Sequence, residues 1–221
     1  MTNVRKPRIA ERIDSYVANN LPDPADPQFT DGSMNGFYVP NSMNTVAHQS
    51  RLMDENGASL SGAFQFGTGS LHGCTMLTIV SNRAVWMAHF WEGLAWNKAD
   101  TWTTVDQENL QDYVIGALLG NGKNMDNVDP IDWSLFNDDC DETRVFWMTP
   151  AYMNSETSPA NYALYKEKIK KVQAVIDEHL ESPETETFLY QRLMYNYNGG
   201  SPTGTNSRNI DTGAYGQTMF Q

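Results

Sequence analysis

Cysteine is scarce in this chain: two residues, Cys74 and Cys140, among 221. Two thiols exclude a disulfide scaffold and a thiolate-only structural zinc site, so each cysteine is read for its own chemistry. Basic residues are also in short supply, 15 Lys+Arg against 27 Asp+Glu, giving a formal charge of −12. That imbalance repels phosphate backbones and anionic headgroups. No Lys/Arg cluster with interleaved aromatics offsets it, so nucleic acid is not an expected partner. Nowhere do about eighteen apolar residues run together, so no membrane-spanning helix is expected. Met1–Asn20 is charged and lacks the apolar centre of a signal peptide, and the chain is expected to be soluble. There is no Gly-rich phosphate loop, no His-Glu-x-x-His helix and no dinucleotide fingerprint, so neither a cofactor nor a metal is expected.

Apolar residues make up 40% of the sequence, enough for a sizeable core. No second compositional regime appears before the end, so residues 1–198 read as one domain and 199–221, rich in Gly, Ser, Thr and Asn, as a surface tail. Ile9, Ile13, Tyr16, Val17 and Leu21 recur at helical spacing, predicting an amphipathic helix over 6–20. A loop over 23–36 leads to a short extended piece at Phe37-Tyr38-Val39. Leu60, Gly62, Phe64 and Phe66 alternate as in a strand ended by Gly67-Thr68-Gly69. Cys74 to Val80 is nearly continuous in apolar and β-branched residues, predicting a central strand covered on both faces. Ser81-Asn82-Arg83 supplies a turn, and Ala84 to Trp91 is the return strand.

Further on, Thr104-Val-Asp-Gln107 has the form of a capping box opening a helix over 105–119, with Gly120 placed to end it. An acidic loop over 124–142 precedes a strand at Arg144–Met148. Tyr165, Ile169, Val172, Ile176 and Leu180 mark a long helix over 160–181, and Glu186 to Tyr195 reads as extended. The lysines between Lys166 and Lys171 read as the solvated face of that helix.

The stretch with chemical content is Thr68-Gly-Ser70-Leu-His72-Gly73-Cys74, followed fifteen residues later by His89. If the two strands pair through an even-length loop, opposing positions sum to 165. His89 then faces Met76, and Cys74 lies on the same face as His89, one diagonal away at about 7–8 Å. An odd loop would put them on opposite faces. A thiol becomes a useful nucleophile when a base takes its proton, and an imidazole is such a base. Gly73 leaves the approach to Cys74 uncrowded, backbone N–H groups at Gly73 and Cys74 offer an oxyanion site, and Thr68 offers an oxygen to orient the imidazole. The competing reading is structural: a cysteine in an apolar strand is commonly a small buried hydrophobe, and Thr68 between two glycines is a turn residue.

Leu71-His72-Gly73-Cys74, with a histidine fifteen positions on and a threonine six positions before, resembles the Cys-His protein glutamine deamidases. These comprise the cytotoxic necrotizing factor catalytic domains, related bacterial lethal factors and the chemoreceptor glutamine deamidases. The family carries serine where this chain has His72, and the resemblance spans residues 59 to 92. It implies an α+β fold with two packed mixed sheets in a sandwich-like core, flanked by helices, with the Cys and His on adjacent strands. It implies Thr68, Cys74 and His89 as catalytic residues, Gly73 and Cys74 as the oxyanion site, and a protein substrate with an accessible glutamine. Action in a cytoplasm, or as an effector in a target-cell cytosol, would follow. Transglutamination, peptidase or amidase action by the same pair, and a catalytically silent protein-binding relative, stand as alternatives.

Ser70, His72 and Trp91 are placed to contact a substrate, and His72 is a rival base. Glu92 should point away from the Cys-His face toward the surface. Cys140, inside Asp138-Asp139-Cys140-Asp141-Glu142, is the poorer nucleophile because neighbouring negative charge disfavours its thiolate. In an oxidising compartment it is the only other cysteine with which Cys74 could pair. His48 and His179 show no matching partner in the sequence. Met76, Trp86, Met87, Trp91 and Trp96 read first as core and second as the lining of a cleft.

Overall fold

The computed structural model of the chain describes residues 36–38, 45–53, 58, 65–68, 71, 73–96, 103–155, 158–181, 183–190 and 218–220. The predicted 6–20 helix, Ser70, His72 and most of the predicted tail lie outside them.

The fold is α+β. The strands are β1 (Gly36–Tyr38), β2 (Val46–Arg51), β3 (Gln65–Thr68), β4 (Thr75–Val80), β5 (Ala84–Phe90), β6 (Arg144–Ser155), β7 (Ser158–Ala163), β8 (Glu184–Tyr190) and β9 (Thr218–Phe220). Six of them form a mixed sheet in the order β2-β5-β4-β6-β7, with β8 also on β6. Only β6 and β8 pair in parallel within it, as the crossover through the intervening long helix requires. Strands β1, β3 and β9 make a separate three-stranded sheet. The residues expected to be a sequence-terminal surface tail therefore include a strand: Thr218–Phe220 pairs with β3. β3 also runs through Gly67 and Thr68, where it was expected to end.

The β4–β5 hairpin is the centre of the sheet, flanked by β2 and β6. Because side chains alternate across a strand, its two faces feed two different clusters. Leu77, Ile79, Ala84, Trp86, Ala88 and Phe90 face the main core, joined there by Val145 and Trp147. Met76, Val85 and Met87 face a smaller cluster with Val46, Leu71, Cys74 and Tyr190. The main core lies between the six-stranded sheet and the helices that close it.

The first covering helix runs from Thr104–Leu110 through a wider π turn at Gln111–Ile115 to Gly116–Leu119. It presents Leu110, Val114, Ala117 and Leu118 to the sheet. Its cap is Thr103, one residue earlier than expected. The Thr103 side chain accepts from the Asp106 N–H, and the Asp106 carboxylate accepts from the Thr103 N–H at 2.9 Å. Gly120 ends it in the left-handed region at φ 72°, where a residue without Cβ suffers no clash.

The long helix is Lys166–Leu180, shorter at its start than the expected 160–181, because Ser158–Ala163 is strand β7 paired with β6. Ile169, Val172, Ile176 and Leu180 enter the main core as the spacing predicts. Lys168 departs from the solvated-lysine reading: it is buried, and burial lowers its pKa while the nearby Asp106 charge opposes that shift. His179 stacks flat on Trp133, ring centroids 4.4 Å apart, so it does have a partner.

The hairpin turn is locked to the acidic loop. Ser81 Oγ donates to Leu135 O at 2.7 Å and accepts from the N–H groups of Arg83 and Ala84. Arg83 forks onto both carboxylate oxygens of Asp141, whose side chain is 1% exposed. Burial pushes the Asp141 carboxyl up, but hydrogen bonds from Arg83 and the Asp138 N–H, with the Arg83 charge, outweigh it and hold the group below its ordinary value. Its contribution is therefore present above the ordinary carboxylate range and lost as pH falls through the depressed folded value. Asp141→Asn is expected to lower unfolding stability at pH 7 by about 2–3 kcal/mol, the low side for a buried pair because Arg83 is partly exposed. Urea midpoints measured from pH 7 downward should show the gap between variant and wild type closing in acid.

Candidate functional site

The ladder between β4 and β5 pairs Thr75 with Phe90, Met76 with His89 and Val80 with Val85. Every pair sums to 165, the register in which Cys74 and His89 share a face. Cys74 lies immediately before the first paired residue of β4, and it packs in the smaller cluster with Leu71, Met76, Tyr190 and the half-buried Trp91. His89 sits between Met76 on β4 and Val46 on β2. The sheet therefore brings Cys74, His89 and Trp91 to one region.

Thr68 is placed by its backbone, opposite Thr218 in the three-stranded sheet, and its side chain is outside the description. Strand β3 runs close to β5, on which His89 lies. Cys140 is exposed and Cys74 buried, and both are free thiols, so the Cys74–Cys140 disulfide is not formed.

The environment is drier than the sequence suggests. Cys74 is 5% exposed and His89 0%. Removing the imidazole from water disfavours its charged form and pushes the His89 pKa down to about 4. His89 is thus a neutral base across the neutral range. A preformed thiolate–imidazolium pair gains little here.

Two features were not visible in the sequence. Glu92, expected at the surface, is half-buried and accepts a 2.6 Å hydrogen bond from the Tyr165 hydroxyl. It does point to the helix side of the sheet, and a Cβ on Gly73 would run into its carboxylate. The absent side chain at Gly73 thus makes room for Glu92, on the face opposite the thiol. The second feature is His48, whose Nδ1 lies 3.2 Å from Asp129 Oδ2. His48 opposes Met87 while Val46 opposes His89, so this His-Asp pair lies one diagonal beyond His89 on the same face. The only sequence signal for it is the alternation of Val46 and His48 about Ala47.

Among the described residues no group of three or more His, Cys, Asp or Glu side chains is arranged to hold a metal ion, and no helix is long and apolar enough to cross a membrane. His89 supplies a sign-defined test of its own burial. Its folded pKa lies below the ordinary 6.5. Its contribution is full above that value and lost as pH falls toward 4, by about 3 kcal/mol over the interval. Urea unfolding of wild type between pH 7 and 4 should show this loss, and His89→Gln, which cannot take up the proton, should remove that part of the slope. No family model, no curated protein and no solved structure matches the chain.

Proposed function

We propose that the chain is a cysteine hydrolase of amide C–N bonds, acting on the side-chain carboxamide of a glutamine in a protein substrate. The observation that carries this reading is the hairpin register, which sets a thiol and a neutral imidazole on one face in adjacent strands. Its choice of glutamine rests on the resemblance of Leu71-His72-Gly73-Cys74 and His89 to the deamidase pattern.

In the proposed sequence His89 accepts the Cys74 proton as sulfur bonds to the carboxamide carbon. Backbone N–H groups at the Gly73–Cys74 entrance receive the oxyanion. The C–N bond then breaks, His89 returns the proton to the nitrogen, and ammonia leaves a thioester. Water attacks that thioester with His89 again as base, the C–S bond breaks, and the proton returns to Cys74. Glutamine becomes glutamate. An amine in place of water would give transglutamination by the same route. Thr68 is assigned the orientation of His89, and Ser70, His72 and Trp91 the substrate side.

The depth of burial favours a second reading, in which Cys74 and His89 are packing residues of a protein-binding domain. Iodoacetamide separates the two. Under the hydrolase reading Cys74 labels about tenfold faster than the exposed Cys140, at a rate flat above about pH 5 because His89 is already neutral, and His89→Ala slows it about a hundredfold. Cys140 labelling first, with Cys74 reacting only on unfolding, would establish the packing reading. A protein mixture treated with wild type, against Cys74→Ala, should then show glutamines converted to glutamate by mass spectrometry. Cleaved peptides would make the enzyme a peptidase.

A further inference from the structure

The β4 ladder stops at Thr75 on the β5 side and at Met76 on the β6 side, which leaves the carbonyls of Gly73 and Cys74 beyond it. Backbone carbonyls buried at a strand end need partners from elsewhere. Here two tyrosines supply them, from opposite sides of the sheet and from distant segments. Tyr165, at the start of the long helix and inside the main core, places its hydroxyl 3.3 Å from Gly73 O and shares its one proton between that carbonyl and the nearer Glu92 carboxylate, as a three-centre hydrogen bond. Tyr190, the last residue of β8 and part of the smaller cluster, donates to Cys74 O at 2.7 Å. Glu92 fixes the Tyr165 hydroxyl from the other side at 2.6 Å, and is itself seated in the space that Gly73 leaves.

We propose that Tyr165 and Tyr190, with Glu92 anchoring the first, are positioning residues that hold the Cys74 peptide units in the orientation from which the thiol meets His89. This rests on the hydrolase reading for its chemical consequence, though not for the clamp itself. A peptide unit is planar and trans, and the described backbone contains no cis bond. Holding Gly73 O therefore also sets the direction of the Cys74 N–H, and holding Cys74 O sets that of the Thr75 N–H. Both carbonyls flank the Cys74 Cα, so together the two phenols fix the direction of its Cα–Cβ bond. Neither phenol is required to touch substrate.

The test uses Tyr190→Phe and Tyr165→Phe, which keep the rings and delete the hydroxyls. Thr149→Val is the control, because it deletes the nearby buried Thr75–Thr149 hydrogen bond without touching either carbonyl. The first readout is amide hydrogen exchange. Tyr190→Phe should raise exchange at Thr75, and Tyr165→Phe at Cys74, by about tenfold over any change at Ile79 and Val80, the loss expected of one local hydrogen bond. Acceleration spread evenly along the hairpin would overturn the clamp.

The second readout is the pH profile of Cys74 alkylation. With the thiol held against His89 the rate is flat, whereas a released thiol follows its own ionisation and rises about tenfold per pH unit below its pKa. Each Tyr→Phe variant should lower the rate about three- to tenfold near pH 6 and restore that rise, while Thr149→Val keeps the flat profile. Local exchange with an unmoved profile overturns the positioning role. A wild-type rate indifferent to His89→Ala overturns the hydrolase reading and leaves the exchange result to judge the clamp.

Discussion

The pairing register of one hairpin decides which side chains of this sheet share a face. A strand alternates its side chains with a period of two, so a slip of one residue between β4 and β5 would send His89 into the helix-covered core and leave Cys74 alone on the other face. The observed register is locked at the opposite end of the hairpin, where Ser81 ties the turn to Leu135 and Arg83 forks onto Asp141. Six residues of β4 separate that lock from Cys74, a run of about 20 Å at strand rise. Between them the strand is bonded on both edges, by β5 and by β6, so the register set at the turn is transmitted without slack to the strand entrance.

Burial then decides what kind of chemistry the pair can carry. In a wetter cleft a cysteine beside a histidine tends toward an ion pair, because water and nearby dipoles stabilise both charges. Here His89 lies between Met76 and Val46 in the ladder and is fully buried, and that desolvation keeps the imidazole neutral. Under the proposed hydrolase reading, charge develops only while a proton is in flight, with sulfur and imidazole sharing the change.

Much of this was readable from residue order, and the failures have identifiable causes. The nearly unbroken apolar run Cys74–Val80, the turn at Ser81–Arg83 and the return to Trp91 specify a hairpin locally, while the face on which His89 emerges depends on the loop's parity, which the observed ladder supplies. Strand β2 carries no such signal. Val46–Arg51 has only two buried positions at its start, and its outer edge is satisfied by the acidic loop through Ala47, Gln49 and Asp129. Strand β7 was absorbed into the following helix because Asn161, Tyr162 and Ala163 are compatible with either state until pairing with β6 decides. Lys168 reads as solvent-facing by type, yet it is buried, with the Asp106 charge of another helix near it. Glu92 reads as surface because its seat is an absence, the missing Cβ of a glycine nineteen positions earlier.

The contacts least legible in the sequence meet at the β4 entrance. Glu92, Tyr165 and Tyr190 all converge where the β4 ladder ends, and each is placed by chain segments far apart in sequence. A residue within the ladder, such as His89, has its backbone direction set by two neighbouring strands and its side chain confined by close packing, so its placement is dictated by the sheet. A residue in an open loop has the opposite problem, since nothing holds it to the accuracy that proton transfer demands. Cys74 stands one residue outside the ladder, where strand pairing no longer fixes it but hydroxyls can. Hydrogen bonds from side chains are weaker constraints than a ladder and can be adjusted one at a time, by single substitutions that leave the sheet intact. The strand entrance is thus a place on this hairpin where rigidity is inherited from the sheet while the final orientation of the Cys74 side chain stays open to tuning.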